Sequence, residues 1–112
     1  MDLQDAINTI NRKGEWAHAT DYVELVAAML EGQPNATFFD ALHYAANADK
    51  LGDYAAGNAA FYIVEAALES TGELAEWDSN EDFSPYDAAD CFLTVESVTP
   101  DGLRDAASEL WQ

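Results

Sequence analysis

The sequence predicts an all-α protein, a single domain of five or six helices packed as an irregular bundle, and three observations lead there. Apolar residues recur at three- and four-residue spacing through most of the chain, which places them on one face of a helix. Glycine stands at the end of most such stretches, where a helix stops. Ser84-Pro85 and Thr99-Pro100 each join a capping residue to a proline suited to the first helical position. With 112 residues, 49% of them apolar, the chain can bury one core and is too apolar for the disorder that high charge alone would suggest.

The first helix is expected over Asp2 to Arg12, with Leu3, Ala6, Ile7 and Ile10 on one face and Gly14 as its stop. A second follows from Glu15 to Glu31 through Trp16, Ala19, Val23, Val26, Ala27 and Leu30, ending at Gly32 with Pro34 beyond. Asn35 or Thr37 can cap a third, which runs through Phe38, Leu42, Ala45 and Ala46 toward Leu51 and closes at Gly52. From Asp53 to Ser70 a fourth carries Tyr54, Gly57, Phe61, Val64 and Leu68 as one stripe, with Ala60 and Ala67 beside it. Glu73 to Asp82 reads as an acidic connection with a helical turn around Leu74 to Trp77. Helices from Pro85 to about Leu93 and from Pro100 through Trp111 complete the set. Between them, β-branched residues leave room for a short extended element near 92–98.

The charge is extreme: 22 acids against 4 bases, a formal −18. Residues 1–50 carry −5, residues 51–103 carry 12 acids and no base, and the last nine residues carry −1. Such a surface repels nucleic acid and anionic membrane, so direct binding to either is excluded. It calls instead for a cationic partner surface, metal cations or a salty cytoplasm. Glu65, Glu69, Glu73, Glu76, Asp78, Glu81, Asp82, Asp87 and Asp90 form the densest run and are the candidate partner-binding acids. Glu65 and Glu69, one helical turn apart, stack at about 6 Å. That interval approaches two steps of a DNA strand, which places a charge about every 3.4 Å. Trp77, set among Glu76, Asp78 and Glu81, is the aromatic expected at a partner surface, because tryptophan is frequent among binding hot spots. Trp16 and Trp111 fall on apolar stripes and read as core.

No catalytic constellation is legible, and no cofactor or metal is called for. Asp78, Asn80 and Asp82 occupy the first, third and fifth places of a calcium loop, but Phe83 stands where glycine is needed and Ala89 where the closing acid belongs. His18 and His43 are too far apart in sequence for a helical ligand pair and read as ordinary helix residues. Cys91, the single cysteine, excludes an internal disulfide and reads as a small buried thiol. The N-terminal residues lack the basic start and long apolar run of a signal peptide, and no apolar stretch approaches a membrane span, so a cytoplasmic protein is expected.

The segment Asp40-Ala41-Leu42-His43-Tyr44-Ala45-Ala46-Asn47 resembles a helix of the Ocr-type phage antirestriction proteins, a family of comparable length and acidity. The resemblance covers these eight residues closely and the surrounding helix order loosely. It implies a helical homodimer whose carboxylates imitate bent duplex DNA and occupy the DNA groove of a type I restriction enzyme, with Asp40 and Asn47 the polar positions shared. The family's very acidic C-terminal tail has no counterpart here, where the chain reads Leu110-Trp111-Gln112. A CRISPR effector is the alternative target.

The leading functional expectation is therefore a phage or mobile-element inhibitor that mimics nucleic acid and binds the basic groove of a host defence enzyme. Two alternatives differ in kind. An immunity or antitoxin protein would plug a basic nuclease through a few aromatic and acidic hot spots. A halophile-adapted helical binding domain would spread its acids evenly over the surface, which the concentration in residues 51–103 counts against.

Overall fold

Short-range capping chemistry sets where the helices of this protein begin and end. A computed structural model describes residues 3–13, 18–33, 35–47, 52–80 and 82–111, without the side chains of 46, 47 and 52–58. Seven α-helices run through these described residues: α1 (Leu3–Lys13), α2 (Ala19–Gly32), α3 (Phe38–Asn47), α4 (Gly52–Thr71), α5 (Leu74–Asp78), α6 (Pro85–Phe92) and α7 (Pro100–Leu110). The fold is all-α, as expected. The count exceeds five or six because Leu74 to Asp78 forms a helix of its own.

Both anticipated caps form. Ser84 Oγ accepts the Asp87 N–H at 3.3 Å ahead of α6, and Thr99 Oγ1 accepts the Gly102 N–H at 3.0 Å ahead of α7. Thr37 and Asp40 close a reciprocal box at the start of α3. Thr37 Oγ1 accepts from the Asp40 N–H, and Asp40 Oδ2 accepts from the Thr37 N–H, both at 3.1 Å. At the far end of α4 the chain turns on Gly72, whose φ of +81° suits a residue without a Cβ. There the Glu73 N–H returns to the Leu68 carbonyl at 2.8 Å and the Gly72 N–H to that of Glu69 at 3.2 Å, satisfying carbonyls that α4 leaves open.

Several expectations are corrected. The helix expected from Glu15 begins at Ala19. His18 lies outside it, and the His18 N–H donates to Asp21 Oδ2 at 2.9 Å; Trp16 falls outside the described residues. The third helix is described as far as Asn47, residues 48–51 lie outside the described residues, and Gly52, expected to close α3, lies within α4. No strand forms among the described residues near 92–98. Val95–Ser97 make one turn of 3-10 helix, and the Thr94 N–H is taken by Glu73 Oε1 at 2.9 Å, so β-branching finds no neighbouring strand to pair with.

Two helices hold the centre. α2 packs against α1, α3, α4 and α7, and α4 against α2, α3, α5, α6 and α7. Leu25, Val26, Leu42, Ile63, Val64, Leu68 and Leu103 are fully buried between them and their neighbours. Nearly half of the buried apolar residues described are alanines, among them Ala27, Ala28, Ala66, Ala67, Ala88 and Ala107. Alanine keeps helix propensity high and lets helix backbones approach closely. Because α4 is enclosed on most sides, its buried set (Ala59, Ala60, Ile63, Val64, Ala66, Ala67, Leu68) is wider than the single stripe expected. Phe61, assigned to that stripe, is instead 44% exposed. Cys91, expected inside, is also exposed. On α6 the buried residues are Ala88 and Ala89, and Cys91 lies off that face. Among the described residues no helix is long and apolar enough to cross a membrane.

Candidate functional site

The edge formed by α4, α5 and the start of α6 brings exposed aromatic surface and carboxylates together. Phe61 and Glu65 stand one turn apart on α4 and therefore share a face. The Gly72 turn then brings the short helix α5 back against α4. Together Phe61, Glu65, Leu74, Trp77, Asp78, Phe83 and Pro85 line a concavity of about 360 Å³.

Trp77, expected to project at a partner surface, is only 7% exposed. A five-residue helix has one inward face, and Leu74 and Trp77, three apart, occupy it while Glu76 and Asp78 point to solvent. The indole is not left unpaired by this, since its Nε1–H donates to the Phe83 carbonyl at 3.0 Å. Its ring packs against Phe61, with centroids 5.2 Å apart and planes tilted by 53°. Trp77 thus forms the inner wall of the concavity and Phe61 the exposed one.

The carboxylates of this region divide into groups. Asp78 and Glu69 both act on Glu65. Partial burial raises the pKa of Glu65 above the usual carboxylate range, and the like charges of Asp78 and Glu69 push it further. Glu73 faces elsewhere, accepting the Thr94 N–H, and that hydrogen bond holds its pKa below the usual value. Glu76, Asp82, Asp87 and Asp90 are exposed. Asp87 lies in the first turn of α6, where a carboxylate complements the helix dipole. Glu81 lies outside the described residues. Asn80 donates its side-chain amide to the Glu76 carbonyl at 2.7 Å, and Phe83 packs edge-on against Phe92 at 5.1 Å. Asn80 and Phe83, at the third and sixth places of the discarded calcium pattern, therefore have structural roles. Among the described residues no three His, Cys, Asp or Glu side chains are grouped to hold a metal ion.

A contrasting cluster lies on the α2–α7 seam. Arg104 donates from Nε to Glu24 Oε2 at 2.8 Å and from Nη2 to Glu24 Oε1 at 3.0 Å. It reaches Glu31 as well, with Nη1 donating to Oε2 at 3.0 Å, and lies 3.6 Å from Asp101. These bonds hold the guanidinium charged and depress the pKa of Glu31. Lys13 similarly reaches Asp21 Oδ2 at 2.9 Å, tying α1 to α2.

Sequence reasoning missed Phe61 as exposed surface and missed the Arg104 cluster entirely. The first is hidden by an apolar pattern that surrounds α4, and the second joins residues 73 and 80 positions apart. The helix carrying the antirestriction-like segment is present as α3, with Asp40 engaged in its own cap and His43 stacked on Tyr86 at 5.2 Å. No family model matches this chain, and neither a curated protein nor a solved structure matches it.

Proposed function

We propose that this protein is a non-catalytic inhibitor from a phage or mobile element that imitates nucleic acid and occupies the basic groove of a host defence enzyme, a restriction or CRISPR complex, in the host cytoplasm. One observation carries the reading: residues 51–103 hold 12 acids and no base, and Glu76, Asp78, Asp82, Asp87 and Asp90 of that stretch are exposed. A folded protein gains nothing in stability from such like charge, so its retention points to an outside cation. The Ocr-like segment on α3 suggests a type I restriction enzyme as the first target to test and a homodimer as the acting form.

The test is displacement of labelled duplex DNA from a type I restriction enzyme, and of target DNA from a CRISPR effector, followed by fluorescence anisotropy at rising salt. The expected result is displacement that weakens with salt and disappears when Glu65, Glu69, Glu73, Glu76, Asp78, Glu81 and Asp82 are changed together to Gln or Asn. Gln at 73 keeps an acceptor for the Thr94 N–H. Equal displacement by the neutralised protein, or none from either enzyme at low salt, rejects the reading.

A second reading, an immunity-type plug of a basic nuclease, draws support from the Phe61–Trp77 concavity, which has the aromatic make-up of an interface hot spot. An alanine scan against the captured partner separates the two. Diffuse small losses favour mimicry, and a few large losses centred on Phe61 favour the plug.

A further inference from the structure

We infer that the concavity between α4, α5 and the start of α6 is a receptor for one arginine side chain of the partner protein. The inference deepens the proposal of a basic partner by naming where and how one of its cations is held. Glu65 and Asp78 stand in the lining of a hollow whose other walls are Phe61, Trp77, Leu74, Phe83 and Pro85. An apolar occupant would strip water from two carboxylates and return nothing to them, at a cost that excludes it. A hard metal ion would meet aromatic and aliphatic walls where it needs a shell of oxygen ligands. An arginine satisfies both halves of the site. Its guanidinium is planar and weakly hydrated, stacks on aromatic faces, and offers paired donors to carboxylates. Its methylene stem can lie along Leu74, Phe83 and Pro85.

Phe61 strengthens the assignment. It is one of only two large apolar side chains among the described residues that stand exposed, and it already contacts Trp77. Part of its ring is therefore open to a cation while Trp77 supports it on the inner side. Charge neutralisation is available as well, because Glu65 is held among like charges that an incoming guanidinium would offset.

The experiment uses the whole 15N-labelled chain and three capped tripeptides, Gly-Arg-Gly, Gly-Lys-Gly and Gly-citrulline-Gly, at constant ionic strength. With the arginine peptide, the Trp77 indole N–H and the backbone signals of Phe61, Glu65 and Asp78 should move together in a saturable way. The lysine peptide should bind more weakly, and citrulline, which keeps the shape without the charge, should leave these signals in place. The Glu65→Gln/Asp78→Asn double variant should weaken arginine binding on the order of tenfold. Phe61→Leu, which keeps apolar bulk and removes the ring, should weaken it about threefold. Asp105→Asn/Glu109→Gln, at exposed positions of α7, should leave it unchanged. Helical circular dichroism confirms that each variant is folded.

Citrulline shifts equal to those of arginine would overturn the assignment. So would arginine shifts spread over every acidic stretch with none at the Trp77 indole. The two proposals fail separately: displacement of DNA without arginine binding in the hollow removes the receptor and leaves mimicry standing, whereas arginine binding without displacement does the reverse.

Discussion

On the α2–α7 seam Arg104 gathers Glu24, Glu31 and Asp101, whereas along the α4–α5 edge Glu65 faces Asp78 and Glu69 beside an aromatic wall. Each region holds three carboxylates. In the first, one cation turns repulsion into a tie between helices far apart in sequence, and the acids serve the fold. In the second, two acids act against Glu65, and the exposed ring of Phe61 lines the same hollow as Glu65 and Asp78. Folding alone gives no reason to keep that arrangement, since like charges close together oppose the compact state. The difference separates acids that hold the protein together from acids free to meet something else.

The sharpest way to break this comparison is to ask whether charge or apolar packing holds α7. Leu103 is fully buried on the underside of the helix that carries Arg104. Leu103→Ala should cost about 2–5 kcal/mol in denaturant unfolding, through lost transfer energy and the cavity left behind. Arg104→Met should cost less, about 1 kcal/mol, because the pairs are partly solvated. Its cost should shrink further in high salt. Equal costs for the two variants would mean that the seam is chiefly electrostatic.

The smallest effect has the opposite sign. Glu65 holds its proton more tightly in the folded protein than in the unfolded chain. Whatever stability this provides is present at low pH and lost as pH rises above the ordinary carboxylate value toward its raised one. Glu65→Gln should therefore stabilise the protein at neutral pH, by no more than about 0.5 kcal/mol, since the half-buried carboxylate keeps contact with solvent. Glu31 and Glu73 have lowered values, so their contribution is present at neutral pH and fades as pH falls below the ordinary value. Unfolding curves of the Glu65→Gln and parent proteins across pH 3 to 8, on the order of that range, would check both signs. A destabilised Glu65→Gln at neutral pH would place Glu65 with the structural acids.

Most of the helical plan was legible because its signals are local. Ser84, Thr99 and Gly72 act within a few residues of themselves, and each does in the fold what its neighbours in sequence imply. The errors are of another kind. Gly52 suited the end of one helix and lies instead within the next. Trp77 sits among acids in sequence, yet three-residue spacing from Leu74 turns it inward, where the Phe83 carbonyl receives its N–H. Phe61 fits an apolar stripe, but on a helix enclosed from most sides a stripe no longer tells inside from outside. Of the candidate acids, spacing within α4 paired Glu65 with Glu69, while the approach of Asp78 depends on the turn at Gly72 and was not readable from intervals. Arg104 could be counted in the sequence but not matched to Glu24 and Glu31, because nothing in the spacing joins positions so distant.

The alanine-lined interior carries a consequence for how such a protein can change over generations. Where helices meet across Ala27, Ala66, Ala67, Ala88 and Ala107, almost any larger residue would force two backbones apart. Inherited variation is thereby steered outward, onto positions whose replacement leaves the architecture alone. A lineage built on this plan could rewrite its exterior while its inside stayed nearly frozen.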